Sequence, residues 1–296
     1  MHLISSPKKM QKFALSLKRK GKKISFVPTM GALHKGHLSL VKKAKSLGGF
    51  VVASIFVNPA QFGPKEDFKR YPRDLKSDKE LLQKAGCDVI FTPKVEDIYP
   101  EGYLTYVDID ELSEKLEGAS RPSHFKGVCT IVAKLFNLVQ PDFAIFGQKD
   151  AQQAIIIKKM TEDLNFPARI IVSKTEREKD GLAFSSRNSY LNFKERKQAK
   201  VLYQSLKLGE KMIRAGEKSP EKVIQKMKEL INKEKLVKID YIALTDTKRL
   251  EPVKIIKGGL LLSLAVRFGK TRLIDNLKIF SITQPKNTKN YGRQAN

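Results

Sequence analysis

Short apolar runs alternate with amphipathic stretches over the first two-thirds of the chain. Residues 24–28 read as a buried strand, and 50–57 as a second, rich in β-branched and aromatic side chains. Residues 88–91, 142–146 and 168–172 have the same apolar character and strand length. Between these runs the period changes. Residues 37–46 set Leu38, Val41 and Ala44 at three-residue spacing, residues 74–85 and 148–163 read as helices, and 124–139 puts Val128, Val132, Leu135 and Val139 on one helical face. Repeated strand–helix–strand units predict a parallel sheet, doubly wound by right-handed crossovers, with helices on both faces. Ligands then belong at the carboxyl ends of the strands. After about residue 190 the pattern shifts to charged amphipathic helices (193–215 and 220–233) and strands at 237–244, 259–268 and 271–279, a smaller α+β unit. The expected division is residues 1–190, residues 191–282 and a polar, frayed tail at 283–296.

Composition changes this picture in one respect. The 296 residues carry 57 Lys and Arg against 31 Asp and Glu, a formal net charge of +26, and residues 1–23 hold eight Lys or Arg and no acid. Such a field attracts polyanions. No zinc finger, arginine–glycine repeat or ribonucleoprotein-type aromatic motif accompanies it, so the excess reads as a lysine-rich solvated surface without a specific nucleic-acid partner. No apolar run reaches the ~20 residues of a membrane span, and the basic N-terminus lacks a secretory pattern. The expectation is a cytoplasmic protein with no membrane partner. Cys87 and Cys129 fit no metal or disulfide spacing and read as reduced, partly buried small apolar residues.

The chemistry concentrates at predicted strand ends. The block PTMGALHKGH at 28–37 runs from a strand through a glycine-containing turn into a helix. His34 and His37 lie three apart, so both can face one point at the helix start, and two imidazoles plus a helix N-terminus suit phosphate groups. SIFVNPAQFG at 54–63 offers the neutral amides of Asn58 and Gln61, which can hold hydroxyls and carboxylates. RPSHFKG at 121–127 enters the next helix, with Arg121 and His124 readable either as site or as surface residues. In FGQKDAQQ at 146–153, Lys149 can meet phosphate, Asp150 can accept from ribose hydroxyls, and Gln153 shares a helical face with Asp150. GLAFSSRN at 181–188 brings two hydroxyls and a guanidinium that could clamp a triphosphate.

The HxGH pattern after a first strand resembles the nucleotidyltransferase superfamily, which includes adenylyltransferases and class I aminoacyl-tRNA synthetases. The wider 28–37 block, followed in order by the other four, closely resembles the pantoate–β-alanine ligase (pantothenate synthetase) family over roughly residues 24–280. Gln148 stands where that family often has Glu, Ala151 where it often has an aromatic residue, and Glu176 where it often has Val.

The resemblance implies an α/β, Rossmann-like nucleotide- and pantoate-binding domain with a smaller C-terminal α+β lid. It implies an enzyme that condenses (R)-pantoate with β-alanine, forming pantothenate, AMP and pyrophosphate from ATP through a pantoyl adenylate. His37, His34, Lys149 and Arg187 would be catalytic. Met30, Gly31, Ala32, Leu33, His34, Lys35, Gly36 and His37 would bind ATP, together with Gly147, Gln148, Lys149, Asp150, Glu176, Phe184, Ser185, Ser186 and Arg187. Gln61 and Gln153 would hold pantoate, with Gln61 also meeting β-alanine. Mg²⁺ would be bound mainly through the ATP phosphates, and the family is typically homodimeric. Two other readings compete: a nucleotidyltransferase releasing a stable nucleotide product, in which Gln61 and Gln153 have no defined task, and a nucleic-acid-binding protein suggested by the charge.

Overall fold

The computed structural model describes residues 1–64 and 66–280; the tail expected at 283–296 lies outside them. Six parallel strands form the larger sheet: β1 (His2–Ile4), β2 (Ile24–Thr29), β3 (Phe50–Ile55), β4 (Val89–Phe91), β5 (Phe143–Gly147) and β6 (Arg169–Ser173), in the order β1-β4-β3-β2-β5-β6. Alternation along the strands splits the core between the two faces. Phe26, Val52, Val89 and Phe146 pack on one face against the helices α1 (Pro7–Arg19), α6 (His124–Val139) and α7 (Ala151–Asp163). Val27, Val51, Ala53, Ile90 and Ile145 pack on the other against α2 (Lys35–Ser46) and α3 (Leu75–Lys84). Two single-turn helices, α4 (Val95–Ile98) and α5 (Glu117–Ser120), lie in the connection to α6.

From β2 the chain winds outward through β3 and β4, then returns to the other side of β2 for β5 and β6. The strand order therefore reverses between β2 and β5. A crevice opens at their carboxyl ends, the place where open α/β sheets bind ligands. The segments after Thr29 and Gly147 both enter this crevice.

The smaller unit contains α8 (Phe193–Ala199), α9 (Val201–Arg214) and α10 (Pro220–Ile231), then the antiparallel strands β7 (Val237–Asp246), β8 (Leu260–Phe268) and β9 (Thr271–Ile279). Its core joins Leu206, Ile213, Val223 and Met227 to Leu262, Leu264 and Val266. β8 is buried almost throughout because its other face meets the larger unit, where Leu261 joins the core of the parallel sheet.

Three local readings change. Residues 1–23, read only as a basic surface, contain β1 and α1; Ser6 caps α1, Pro7 occupies its first turn, and Met10, Ala14 and Leu17 form the buried stripe beneath a cationic outer face. The helix expected at 193–215 is interrupted at Lys200. The helix expected at 148–163 begins at Ala151, because Asp150 (φ −99°, ψ 57°) is not helical; residues Gln148–Asp150 form a 3₁₀ turn instead.

Candidate active site

α2 starts two residues earlier than its periodicity predicts, and its first turn is built from the histidines themselves. His34 is the N-cap; its Nδ1 accepts from the Gly36 N–H at 3.1 Å, and His37 Nδ1 accepts from the His34 N–H at 3.4 Å. A ring whose Nδ1 accepts a hydrogen bond carries its proton on Nε2. Both rings thus keep an Nε2–H donor, and they lie 4.1 Å apart between centroids. Burial, with Lys149 nearby, lowers the His34 pKa to about 4; burial, with His34 beside it, lowers that of His37 to about 3. At neutral pH the pair presents two uncharged N–H donors to an anion. Gly36 permits this arrangement, since a Cβ there would lie 2.9 Å from the His34 ring.

The turn before α2 is held from behind. Gly31 adopts φ +82°, and the N–H groups of Ala32 and Leu33 donate to the two oxygens of the buried Asp78 on α3 at 2.9 and 2.8 Å. Sequence reading assigned Asp78 no role; a carboxylate on a helix carries no local sign of the loop it anchors.

Opposite, the 3₁₀ turn Pro59–Gln61 presents Gln61. Asn58 Nδ2 donates to Gln61 Oε1 and to Gly127 O, each at 3.0 Å, and Asn58 Oδ1 accepts from Tyr99 Oη at 2.8 Å. Gln61 Oε1 is thus occupied, leaving its NH2 toward the cleft, where it lies 3.2 Å from Met30 Sδ. α6 packs directly against this turn: a Cβ at Gly127 would come within 2.1 Å of Ala60 O. Arg121 and His124, left open by the sequence, belong to the same cluster. His124 Nδ1 donates to Gln61 O at 2.8 Å and its Nε2 accepts from Arg121 at 2.9 Å, while Arg121 makes bonds of 2.6 and 2.8 Å to Glu66.

Burial, reinforced by the Arg121 charge, lowers the His124 pKa to about 4. The unfolded chain binds that proton near the ordinary 6.5. Stability is therefore full above pH 6.5 and is lost as the pH falls toward 4. His124 alone is expected to remove about 2 kcal/mol between pH 7 and pH 5. Denaturant titrations at both pH values check this, with a smaller difference expected in His124→Asn; equal stability of the parent protein at the two pH values contradicts it.

One cavity of about 230 Å³ lies at the β2–β5 crevice. Met30, His34, Gly36, His37, Gln61, Gly147, Lys149, Asp150, Gln153, Glu176, Phe184, Ser185, Ser186 and Arg187 all border it. Gly31, Ala32, Leu33, Lys35 and Gln148 do not: the first three shape the turn, Lys35 is exposed, and Gln148 turns toward β9. Lys149 Nζ stands 3.5 Å from Asp150; burial raises the Asp150 carboxyl, but Lys149, with the Arg187 charge and His37 beside it, holds the pKa below its ordinary value. Arg187 binds Asp67 through two bonds of 2.8 and 3.0 Å, so that guanidinium meets any incoming phosphate already paired.

A sequence profile of the pantoate-beta-alanine ligase family matches residues 2–278. The chain belongs to the pantoate–β-alanine ligase family. The match starts at residue 2, so it takes in β1 and α1 as well as the motif blocks. The chain is 56% identical over 260 residues to a pantothenate synthetase of Thermoanaerobacter sp. (strain X514), covering 88% of this chain and 92% of that protein. It is 52% identical over 277 residues to that of Carboxydothermus hydrogenoformans, covering 93% and 98%. The crystal structure of pantothenate synthetase from Thermus thermophilus superposes with a TM-score of 0.89 at 45% identity, covering 94% of this chain and 99% of that one. A pantoate-beta-alanine ligase from Francisella tularensis, complexed with beta-gamma ATP and beta-alanine, gives 0.78 at 37% identity, covering 94% and 97%. The fold is that of these enzymes, and the chain is a ligase. No helix among the described residues is long and apolar enough to cross a membrane.

Proposed function

We propose that the β2–β5 cleft condenses (R)-pantoate with β-alanine at the expense of ATP. One observation carries the assignment of roles: two neutral imidazole N–H donors, a lysine and two glutamines converge on a single cavity at the strand-order reversal. ATP enters with its adenosine along Met30, Gly147, Asp150, Glu176 and Phe184. Ser185, Ser186 and Arg187 hold the phosphates, and Arg187 exchanges part of its bonding to Asp67 for them. Gln61 and Gln153 hold the pantoate hydroxyls and carboxylate, which makes the attack effectively unimolecular.

A pantoate carboxylate oxygen attacks the α-phosphorus, the bond to the bridging oxygen breaks, and pyrophosphate leaves. His34 and His37 donate to the α-phosphate oxygens as charge gathers there, and Lys149 supplies the positive charge. β-Alanine, held by Gln61, then attacks the acyl carbon through its unprotonated amine; the carbon–oxygen bond breaks, the amine proton passes to solvent, and AMP departs. Among the described residues no cluster of three or more His, Cys, Asp or Glu could hold a metal. The Ser185 and Ser186 hydroxyls, on the phosphate side of the cleft, suit Mg²⁺ carried in on the triphosphate, where it would neutralise phosphate charge. In this reading residues 1–190 form the nucleotide- and pantoate-binding domain and residues 191–282 the lid that excludes water from the adenylate. The enzyme works in the cytoplasm as a homodimer joined through the larger domain.

The test supplies ATP, Mg²⁺ and (R)-pantoate with and without β-alanine, and weighs the acyl product. Pantothenate and AMP only from the full mixture is the expected result. A stable nucleotide product formed without β-alanine would sink the ligase reading in favour of nucleotidyl transfer.

A further inference from the structure

β9 carries two consecutive polar residues that are almost wholly buried, Asp275 at 2% exposure and Asn276 at 4%. Both pair with β8 through their backbones, but neither side chain bonds to a neighbouring strand. Asn276 Nδ2 donates to Gln148 O at 2.9 Å and to Lys149 O at 2.8 Å, and Asn276 Oδ1 accepts from Gln148 Nε2 at 2.9 Å. One side-chain amide therefore clasps two successive carbonyls of the 3₁₀ turn from which Lys149 projects. Asp275 accepts two bonds from the Arg177 guanidinium, at 2.6 and 2.9 Å. Arg177 also donates to Gly181 O at 3.0 Å and lies 4.0 Å from the Tyr203 ring centroid, and its backbone bridges to Ala183. It thereby fixes the hairpin that presents Glu176 and Phe184 to the cleft.

The Lys149 turn needs such a clasp. Asp150 breaks the helical backbone before Ala151, so only a single 3₁₀ turn, outside α7, holds the residue that carries the cation. A lysine side chain places its charge only as well as its backbone root is held. The asparagine amide has two N–H donors, and here each meets one of two adjacent carbonyls. Aspartate has the same shape and would set an oxygen against both.

We propose that Asn276 is a positioning residue for the reaction, holding Lys149 in register with the phosphates from the neighbouring unit. Asp275, through Arg177, does the same for the nucleotide-side hairpin. The inference rests on the cleft being the ATP site described above. It predicts that Asn276 acts through Lys149, which a purely structural residue does not.

The test is a double-mutant cycle on the full-length protein: parent, Asn276→Ala, Lys149→Ala and the double variant, measured by steady-state kinetics and by calorimetric binding of ATP alone. Asn276→Ala is expected to lower kcat/KM for ATP about 100-fold, as misplacement by ~1 Å does, and to leave KM for β-alanine within about twofold. In the Lys149→Ala background the same change is expected to cost less than about threefold in either readout. Asn276→Asp, equal in size, is expected to lose at least as much as alanine, and Asn276→Ser, which keeps one donor, to lose less. Equal losses with and without Lys149 would overturn the proposal, as would an Asn276→Asp protein with parental kinetics. If Asn276→Ala fails to fold, the serine and aspartate variants run through the same cycle decide. A parent protein that binds ATP but makes no pantothenate overturns the ligase reading alone, and the binding cycle still tests Asn276.

Discussion

Replacing His37 by alanine is expected to lower turnover about 1,000-fold, the scale on which one preorganised donor to a developing oxyanion acts. Its Nε2–H is available because the His34 backbone occupies Nδ1, and burial keeps the ring neutral with a pKa of about 3. The donor is in place before charge develops, so no reorganisation is needed at the moment of reaction. Because the ring also closes the first turn of α2, alanine is expected to cost about 1 kcal/mol of stability as well, far too little to unfold the protein. Single-turnover measurement of AMP formation, alongside a melting curve, separates the two effects. Near-parental turnover in a folded His37→Ala protein contradicts the assigned role.

Lys149→Met is expected to lower kcat/KM for ATP about 100- to 1,000-fold, because it removes a charge while keeping the length of the side chain. Lys149 is the partly buried cation of the cleft that lies beside Asp150, whereas Arg187 and Arg121 are committed to Asp67 and Glu66. The loss should appear with ATP and spare the KM for β-alanine, whose attack follows pyrophosphate release. Equal loss for both substrates would place Lys149 elsewhere in the reaction.

What the sequence made legible follows from how local each signal is. α6 appears at residues 124–139 as its periodicity predicts, because its apolar face is long and little else competes. α1 was missed although Ser6, Pro7 and the Met10–Ala14–Leu17 stripe were all present; its cations obscured a pattern that lies beneath them. The 148–150 turn could not be told from a helical first turn, since Asp150 leaves helical geometry for tertiary reasons. The cleft residues could be listed because they sit at strand ends in recognisable blocks. Their supports could not. Asp78 reaches Leu33 across 45 residues, Arg187 reaches Asp67 across 120, and Asn276 reaches Gln148 across 128. Such contacts exist only once the chain has folded, and nothing in the flanking sequence announces them. The chemistry was therefore readable residue by residue, and the framework that aims it was not.

In the proposed reaction a pantoate oxygen passes through an acyl phosphate to AMP. (R)-Pantoate labelled with ¹⁸O in its carboxylate, incubated with ATP, Mg²⁺, β-alanine and the enzyme, tests it directly by mass spectrometry of the nucleotide. The expected result is one ¹⁸O in AMP and none in pyrophosphate, because the amine displaces the carbonyl carbon from the oxygen that attacked phosphorus. Unlabelled AMP, or label in released phosphate beside ADP, would contradict it.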